Sequence, residues 1–183
     1  MNREPAACPQ ALRIIMSTES QGVSNERYAL IPRVLIFPVN ETGQILLLEG
    51  ARNKKIWAGY WNGLGGHVEQ GESVLKAVNR ELLEESGLTA EKLIFCGQVV
   101  VDTGQSKGIV FFVFKAKQIQ GELKASEEGK LAWHSLQAAL KLNLVEDLYT
   151  LLPMVMRQRA NGRPFWGHYH YDDEGQLVMS FTF

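Results

Sequence analysis

Glu81, Glu84 and Glu85 lie within five residues of one another, in a stretch that reads GHVEQGESVLKAVNRELLEESGL from Gly66 to Leu88. On an α-helix the three side chains share an arc of about 100°. Like charges at these spacings repel and cost a helix roughly several tenths of a kcal/mol per pair. Arg80 relieves part of this through its i+4 partner Glu84. The apolar residues Val74, Leu75, Val78 and Leu82 occupy an overlapping arc, which predicts carboxylates beside a buried face. A partly desolvated acidic cluster needs a counter-charge. A hard divalent cation supplies it, and an all-oxygen donor set favours magnesium or manganese over zinc. On the glutamates alone, a solvated acidic helix surface accounts for the pattern equally well. The flanking glycines shift the balance. Gly63, Gly65 and Gly66 allow backbone to approach a phosphate or metal closely, Gly71 permits a tight turn before Glu72, and Gly87 stands where a helix C-cap belongs.

These residues need a scaffold, and the flanking sequence supplies its elements. Residues 1–26 mix Pro, Ser, Gln and Asn with one short apolar patch and read as a flexible or loosely docked tail. YALIPRVLIFPV and QILLLEG, joined by Asn40-Glu41-Thr42-Gly43, predict a hairpin. Pro32 and Pro38 mark its ends or an edge. WNGLGGH is a loop and residues 73–86 a helix. LIFCGQVVVDT and IVFFVFKAK are two further strands, and LAWHSL is a short strand or turn. Asn143 to Gln158 predicts a helix, kinked or broken at Pro153. PFWGHYHY and QLVMSFTF, around Asp-Asp-Glu-Gly, form a closing hairpin. This order implies an α/β (α+β) domain over residues 27–183, with a mixed sheet flanked by helices.

Composition narrows the partners. The chain has 183 residues, a net charge of −1 and 45% hydrophobic residues, enough for one domain with a real core. Nothing in that balance indicates a membrane or a long nucleic acid, since either usually leaves a basic surplus. Cys8 and Cys96 form no CxxC pair and suit a reducing cytoplasm. No signal peptide or membrane-length apolar run is present. Oligomeric state, monomer or homodimer, is left open.

The spacing from Gly66 is specific: Gly66, five residues, Glu72, seven residues, Arg80, Glu81, Leu82, one residue, Glu84, Glu85, one residue, Gly87, Leu88. This resembles the complete box of the Nudix hydrolases, with every fixed position filled. The resemblance implies the Nudix fold, an α/β/α sandwich around a central mixed sheet with the box on a loop–helix–loop. It implies hydrolysis of a nucleoside diphosphate linked to another moiety, with Mg2+ and Mn2+ as a substitute. Glu81, Glu84 and Glu85 are then metal ligands, one of them or a neighbour acting as base, and the Gly65 carbonyl is a further ligand. Arg80 orients a glutamate, and Glu72 braces the loop. A last carboxylate commonly arrives from a later loop, where Glu127 and Glu128 precede LAWHSL and Glu128 matches better.

WAGYWNGLGGHVEQGE is similar to the MutT-like branch, which sanitises oxidised purine triphosphates such as 8-oxo-dGTP. By that resemblance Asn62 contacts the base, Gly66 and His67 the substrate phosphates, and the adjacent acids Glu146 and Asp147 the purine edge. An acid beside a second acid can stay protonated and both donate and accept. An ordinary helix N-terminal turn also favours acids there. Leu144 replaces an expected aromatic stacking residue, and His67 a frequent lysine. Trp57, Trp61, Trp133 and Phe165 are read as core more readily than as stacking platforms. The proline typical of an ADP-ribose branch and the tyrosine of a dinucleoside polyphosphate branch are both missing near Thr103. Capped RNA ends and nucleotide sugars remain as other substrates, and a nucleotide-sensing module without hydrolysis as another class. The intact box weighs against the last, and the lack of a basic patch against long RNA.

Overall fold

The computed structural model describes residues 21–22, 27–53, 55–124 and 128–183. Almost all of the N-terminal tail, and Glu127, lie outside these residues. The elements are β1 (Ala29–Pro38), β2 (Ile45–Gly50), β3 (Trp61–Asn62), α1 (Val74–Ser86), β4 (Thr89–Val101) and β5 (Lys107–Gln120). They are followed by β6 (Gly129–His134), α2 (Leu136–Ala139), α3 (Leu148–Arg157), β7 (Phe165–Tyr171) and β8 (Leu177–Thr182). A five-stranded mixed sheet runs in the order β1-β5-β4-β7-β8, beside a three-stranded sheet ordered β3-β2-β6.

The predicted first hairpin is corrected here. Asn40 to Gln44 does form the turn, with Asn40 Oδ1 accepting from the amides of Thr42 and Gln44. Past the single bridge Val39–Ile45, however, the arms separate. β1 runs parallel to β5, and β2 pairs antiparallel with β3 and β6. Turn residues specify a reversal; the long-range partners of each arm decide which sheet it joins. Pro32 and Pro38 do mark an edge. Even-numbered β1 residues point their amides away from β5, and those of Val34 and Ile36 bond the carbonyls of Gly66 and Leu64. Proline, lacking the N–H, is therefore tolerated at 32 and 38 without breaking the β1–β5 ladder.

Helices cover both faces of the sheet. On one face Ala77, Val78 and Leu82 of α1 pack with Val34, Ile36, Leu64, Phe114 and Ala116. On the other, Leu148, Leu151, Leu152 and Val155 of α3 pack with Val99, Val113, Phe165 and Tyr169. Each buried Val, Leu, Ile or Phe among them contributes roughly 1.5–3 kcal/mol by leaving water. The predicted face of α1 needs one correction: Leu75 is exposed and Ala77 takes its place in the core. The predicted helix from Asn143 also starts late, at Leu148. Asn143 to Val145 is instead extended against Trp61, with Trp61 N–H donating to Asn143 O and Val145 N–H to Trp61 O. The helix continues through Pro153 to Arg157. Trp61 and Phe165 are core residues and Trp133 is half-buried, but Trp57 is exposed, with a left-handed φ of 63°.

Candidate active site

α1 presents the box carboxylates because both of its ends are fixed. Ser73 caps the start, its Oγ accepting from Lys76 N–H at 3.3 Å, and Gly87 ends it at φ 73° with its amide on the Leu83 carbonyl. Between these caps the helix lies against the loop that follows β3. That loop is stitched along β1 by the Val34–Gly66 and Ile36–Leu64 bonds and by Val68 N–H donating to Pro32 O. Gly65 and Gly66 thus meet α1 at close range. Gly65 N–H donates to Glu85 Oε2 at 2.7 Å. A Cβ on Gly66 would collide with the Glu81 carboxylate, so the bare backbone there makes room for Glu81.

Arg80 organises the remaining acids. Its Nη1 reaches Glu81 Oε1 at 2.7 Å and Glu84 Oε2 at 3.2 Å. Its Nη2 donates to Glu72 Oε1 at 2.6 Å and to the His67 carbonyl at 2.9 Å, and Nε donates to Glu72 Oε2 at 3.2 Å. Glu72 in turn accepts the Glu69 amide at 2.8 Å, which closes the turn before the helix. The paired guanidinium holds the Glu72 carboxyl below its ordinary range, helped by the Glu69 amide. The guanidinium's own pKa is raised by bonds to Glu72, then Glu81. His67 offers its carbonyl to Arg80 and leaves its ring exposed.

A divalent cation fits this donor set in chemistry. Glu81 and Glu84 already converge on one positive centre, Arg80 Nη1, and all the candidate ligands present oxygen. Among the described residues no group of three or more His, Cys, Asp or Glu stands as a ready metal cage. Two of the acids face Arg80 and Glu85 faces the Gly65 amide. Glu128 stands apart in sequence at the start of β6, exposed, its carbonyl accepting the Ala51 amide at the end of the small sheet.

A second cluster forms where β3 meets the segment before α3. Trp61 and Leu144 make a parallel bridge, which sets Asn62 alongside the residues leading into Glu146 and Asp147. Asn62 is half-buried, its Oδ1 accepting the Gly63 amide at 2.8 Å. Leu144 is 2% exposed beneath this bridge and presents no stacking surface. Asp147 occupies the N-cap of α3, yet its side chain makes no capping bond. Burial raises its carboxyl from 3.8 to about 6; the Glu146 charge adds to the rise, while the amides of Asp147 and Leu148 oppose it. Tyr169 in β7, absent from the sequence reading, lies near enough for Asp147 to raise its phenol further, after burial. Its hydroxyl is buried without a hydrogen-bond partner among the described residues. The alternation of β7, which buries Phe165, Gly167 and Tyr169, was the available signal.

Comparison with known proteins agrees with this geometry. The family model for the NUDIX domain matches residues 29–155. A Danio rerio protein named oxidized purine nucleoside triphosphate hydrolase is 29% identical over 141 residues, spanning 76% of this chain and 86% of that protein. The Mus musculus protein of the same name is 29% identical over 133 residues, covering 72% and 83% respectively. A crystal structure of a MutT protein from Bacillus halodurans superimposes with a TM-score of 0.70 at 30% identity, over 83% of this chain and 97% of that one. The domain match spans well over half of the chain, and the box it contains is filled and folded onto a glycine loop: the chain belongs to the Nudix family and is a Nudix pyrophosphohydrolase.

Proposed function

We propose that the protein hydrolyses an oxidised purine nucleoside triphosphate, 8-oxo-dGTP being the type, to the monophosphate and pyrophosphate, with Mg2+ or, as a substitute, Mn2+. Divalent metals serve the Nudix hydrolases generally. The observation that supports the substrate reading is the Trp61–Leu144 bridge, which joins the strand that carries Asn62 to the segment leading into Glu146 and Asp147, more than eighty residues away in the chain. From Asn62 the chain reaches Gly65 in three residues, about 10 Å of extended backbone. A base held beside Asn62 can therefore lay its phosphates against the glycine loop and the box acids. The relatives named for oxidised purine triphosphates support the same reading.

In this reading Asn62 and Asp147 read the base. An amide and a protonated carboxyl both donate and accept, matching an oxidised purine edge that presents both kinds of group. The backbone amides of Gly66 and His67 line the phosphate path, their carbonyls being held by the Val34 amide and by Arg80. Glu81, Glu84, Glu85, the Gly65 carbonyl and Glu128 would hold the metal, which when bound neutralises phosphate oxygens and acidifies water. Arg80 keeps Glu81 and Glu84 aimed at one point. Water attacks phosphorus, the bridging oxygen between the α- and β-phosphates leaves with its electron pair, and one box carboxylate takes the proton.

A turnover panel of 8-oxo-dGTP, dGTP, 8-oxo-dGDP, ADP-ribose and Ap4A tests this, scoring the specificity constant and the phosphate species released. The expected result is pyrophosphate release, with 8-oxo-dGTP favoured over dGTP by at least about ten-fold. A larger constant for ADP-ribose, Ap4A or the diphosphate would overturn the substrate assignment.

A further inference from the structure

On the sheet face opposite α1, the fold concentrates positive charge that the total of −1 conceals. In the β4–β5 register Lys92 stands directly across from Lys117, and Lys115 lies two residues along the same face. Like charges directly opposed on an antiparallel pair destabilise it. Arg157 at the end of α3 and Arg159 just beyond it close over the same hollow, a cavity of about 680 Å³. Five cationic side chains therefore line one space, and none of the described residues lining it is acidic. The expectation that the chain lacks a basic patch is corrected by this arrangement, because net charge averages over position.

One of the five has a structural explanation. Lys115 is 6% exposed, and its Nζ donates to the carbonyls of Met156, at 3.2 Å, and Gln158. It satisfies the C-terminal end of α3, where a cation is favoured by the exposed carbonyls. That role accounts for neither the Lys92–Lys117 pair nor the two arginines. Ile94 and Met156 add apolar wall to the cavity. The volume falls within the roughly 300–1,000 Å³ of small-molecule sites.

We propose that this cavity is a second ligand site, separate from the Nudix helix, and that it takes a compact oligophosphate. Guanidinium forks and lysine point charges suit phosphate oxygens, and an anion between Lys92 and Lys117 removes their mutual repulsion. A nucleic-acid strand would call for a basic track along the surface, whereas these five cations converge on one hollow. The oligophosphate is either free or the tail of a nucleotide; the chemistry recognised is the same.

The test uses the full chain, 15N-labelled and held metal-free with EDTA. Tripolyphosphate, ATP and a single-stranded RNA decamer are titrated separately against a sodium chloride control of equal ionic strength. The expected result is saturable amide shifts at Lys92, Lys117 and Arg157. Affinity should fall at least ten-fold in Lys92→Ser/Lys117→Ser, both exposed positions, while the Gly65 and Gly66 amides respond as before. Tighter binding of ATP than of tripolyphosphate identifies a nucleotide as the source, and the reverse a free oligophosphate. Shifts confined to residues 65–72, shifts reproduced by sodium chloride, an unchanged affinity in the double variant, or tighter binding of the RNA would each overturn the proposal.

Discussion

Arg80 is the residue through which the box acids are connected, since one guanidinium contacts Glu72, Glu81, Glu84 and the His67 carbonyl. Arg80→Ala should lower Tm and also depress turnover, by leaving Glu81 and Glu84 to repel each other. The pH dependence has a definite sign. The Glu72 pKa is depressed in the folded state, so the pair stabilises fully above the ordinary value of 4.5 and that contribution is lost as pH falls through the lower folded value. The gap in Tm between wild type and Arg80→Ala should therefore narrow on acidification, which a melting series at low pH would show. Asp147 behaves in the opposite sense. Its carboxyl is raised from 3.8 to about 6, so the folded state is penalised as pH rises through that window. Asp147→Asn should gain stability relative to wild type between about pH 4 and 7, by at most about 3 kcal/mol. The same substitution should remove an ionisation near pH 6 from the kcat/KM profile for the oxidised purine, with activity in the wild type falling above it. At this scale the sequence showed the carboxylates clearly, because helical geometry fixes their spacing. It did not show Glu72 or His67 as partners of Arg80, since the course of a loop sets those contacts. Nor did it show Tyr169, whose place beside Asp147 depends on β7 docking parallel to β4.

Among the elements, the join between α1 and the glycine loop makes two neighbouring substitutions behave differently. Gly65 has φ 146°, and a Cβ there would collide with the Val34 carbonyl in β1, a backbone atom that cannot step aside. Gly65→Ala should cost more than about 3 kcal/mol in denaturant unfolding. At Gly66 the collision is with the end of the Glu81 side chain, whose Cδ would be 2.7 Å away. Gly66→Ala should keep a near-native unfolding midpoint while turnover falls by roughly 100-fold, through displacement of one carboxylate. The end of α1 was legible because Gly87 is a local signal that acts within one turn, whereas Ser73, read as the first helical residue, is its N-cap. The first hairpin and the start of α3 were misread for a shared reason. Both depend on pairings distant in sequence, β1 with β5 and Asn143–Val145 with Trp61, which no short window contains.

At the scale of the whole molecule, α1 and α3 lie on opposite faces of the five-stranded sheet, with the three-stranded sheet beside it. α1 packs on one core and carries the acids proposed to hold the metal, α3 packs on the other with Asp147 at its N-cap, and the loop from β3 runs along the open side of β1. Among the described residues no helix is long and apolar enough to cross a membrane. Successive residues of β5 serve opposite faces, Val113 in one core and Phe114 and Ala116 in the other, and the same alternation delivers Lys115 and Lys117 to the basic hollow. Its interior positions were readable as an apolar run, but the lysines' convergence with Arg157 and Arg159 was not, because it is a product of tertiary packing. On the other face, Glu81, Glu84 and Glu85 are proposed to grip a divalent ion against a polyphosphate. Pyrophosphate release from 8-oxo-dGTP, measured in Mg2+ and again in EDTA for wild type, Glu84→Gln and Glu85→Gln, tests it most directly. Turnover is expected only for wild type in Mg2+, with both variants reduced by at least about 100-fold while their melting curves stay cooperative. Near-wild-type release by both folded variants, or release that EDTA leaves untouched, would contradict it.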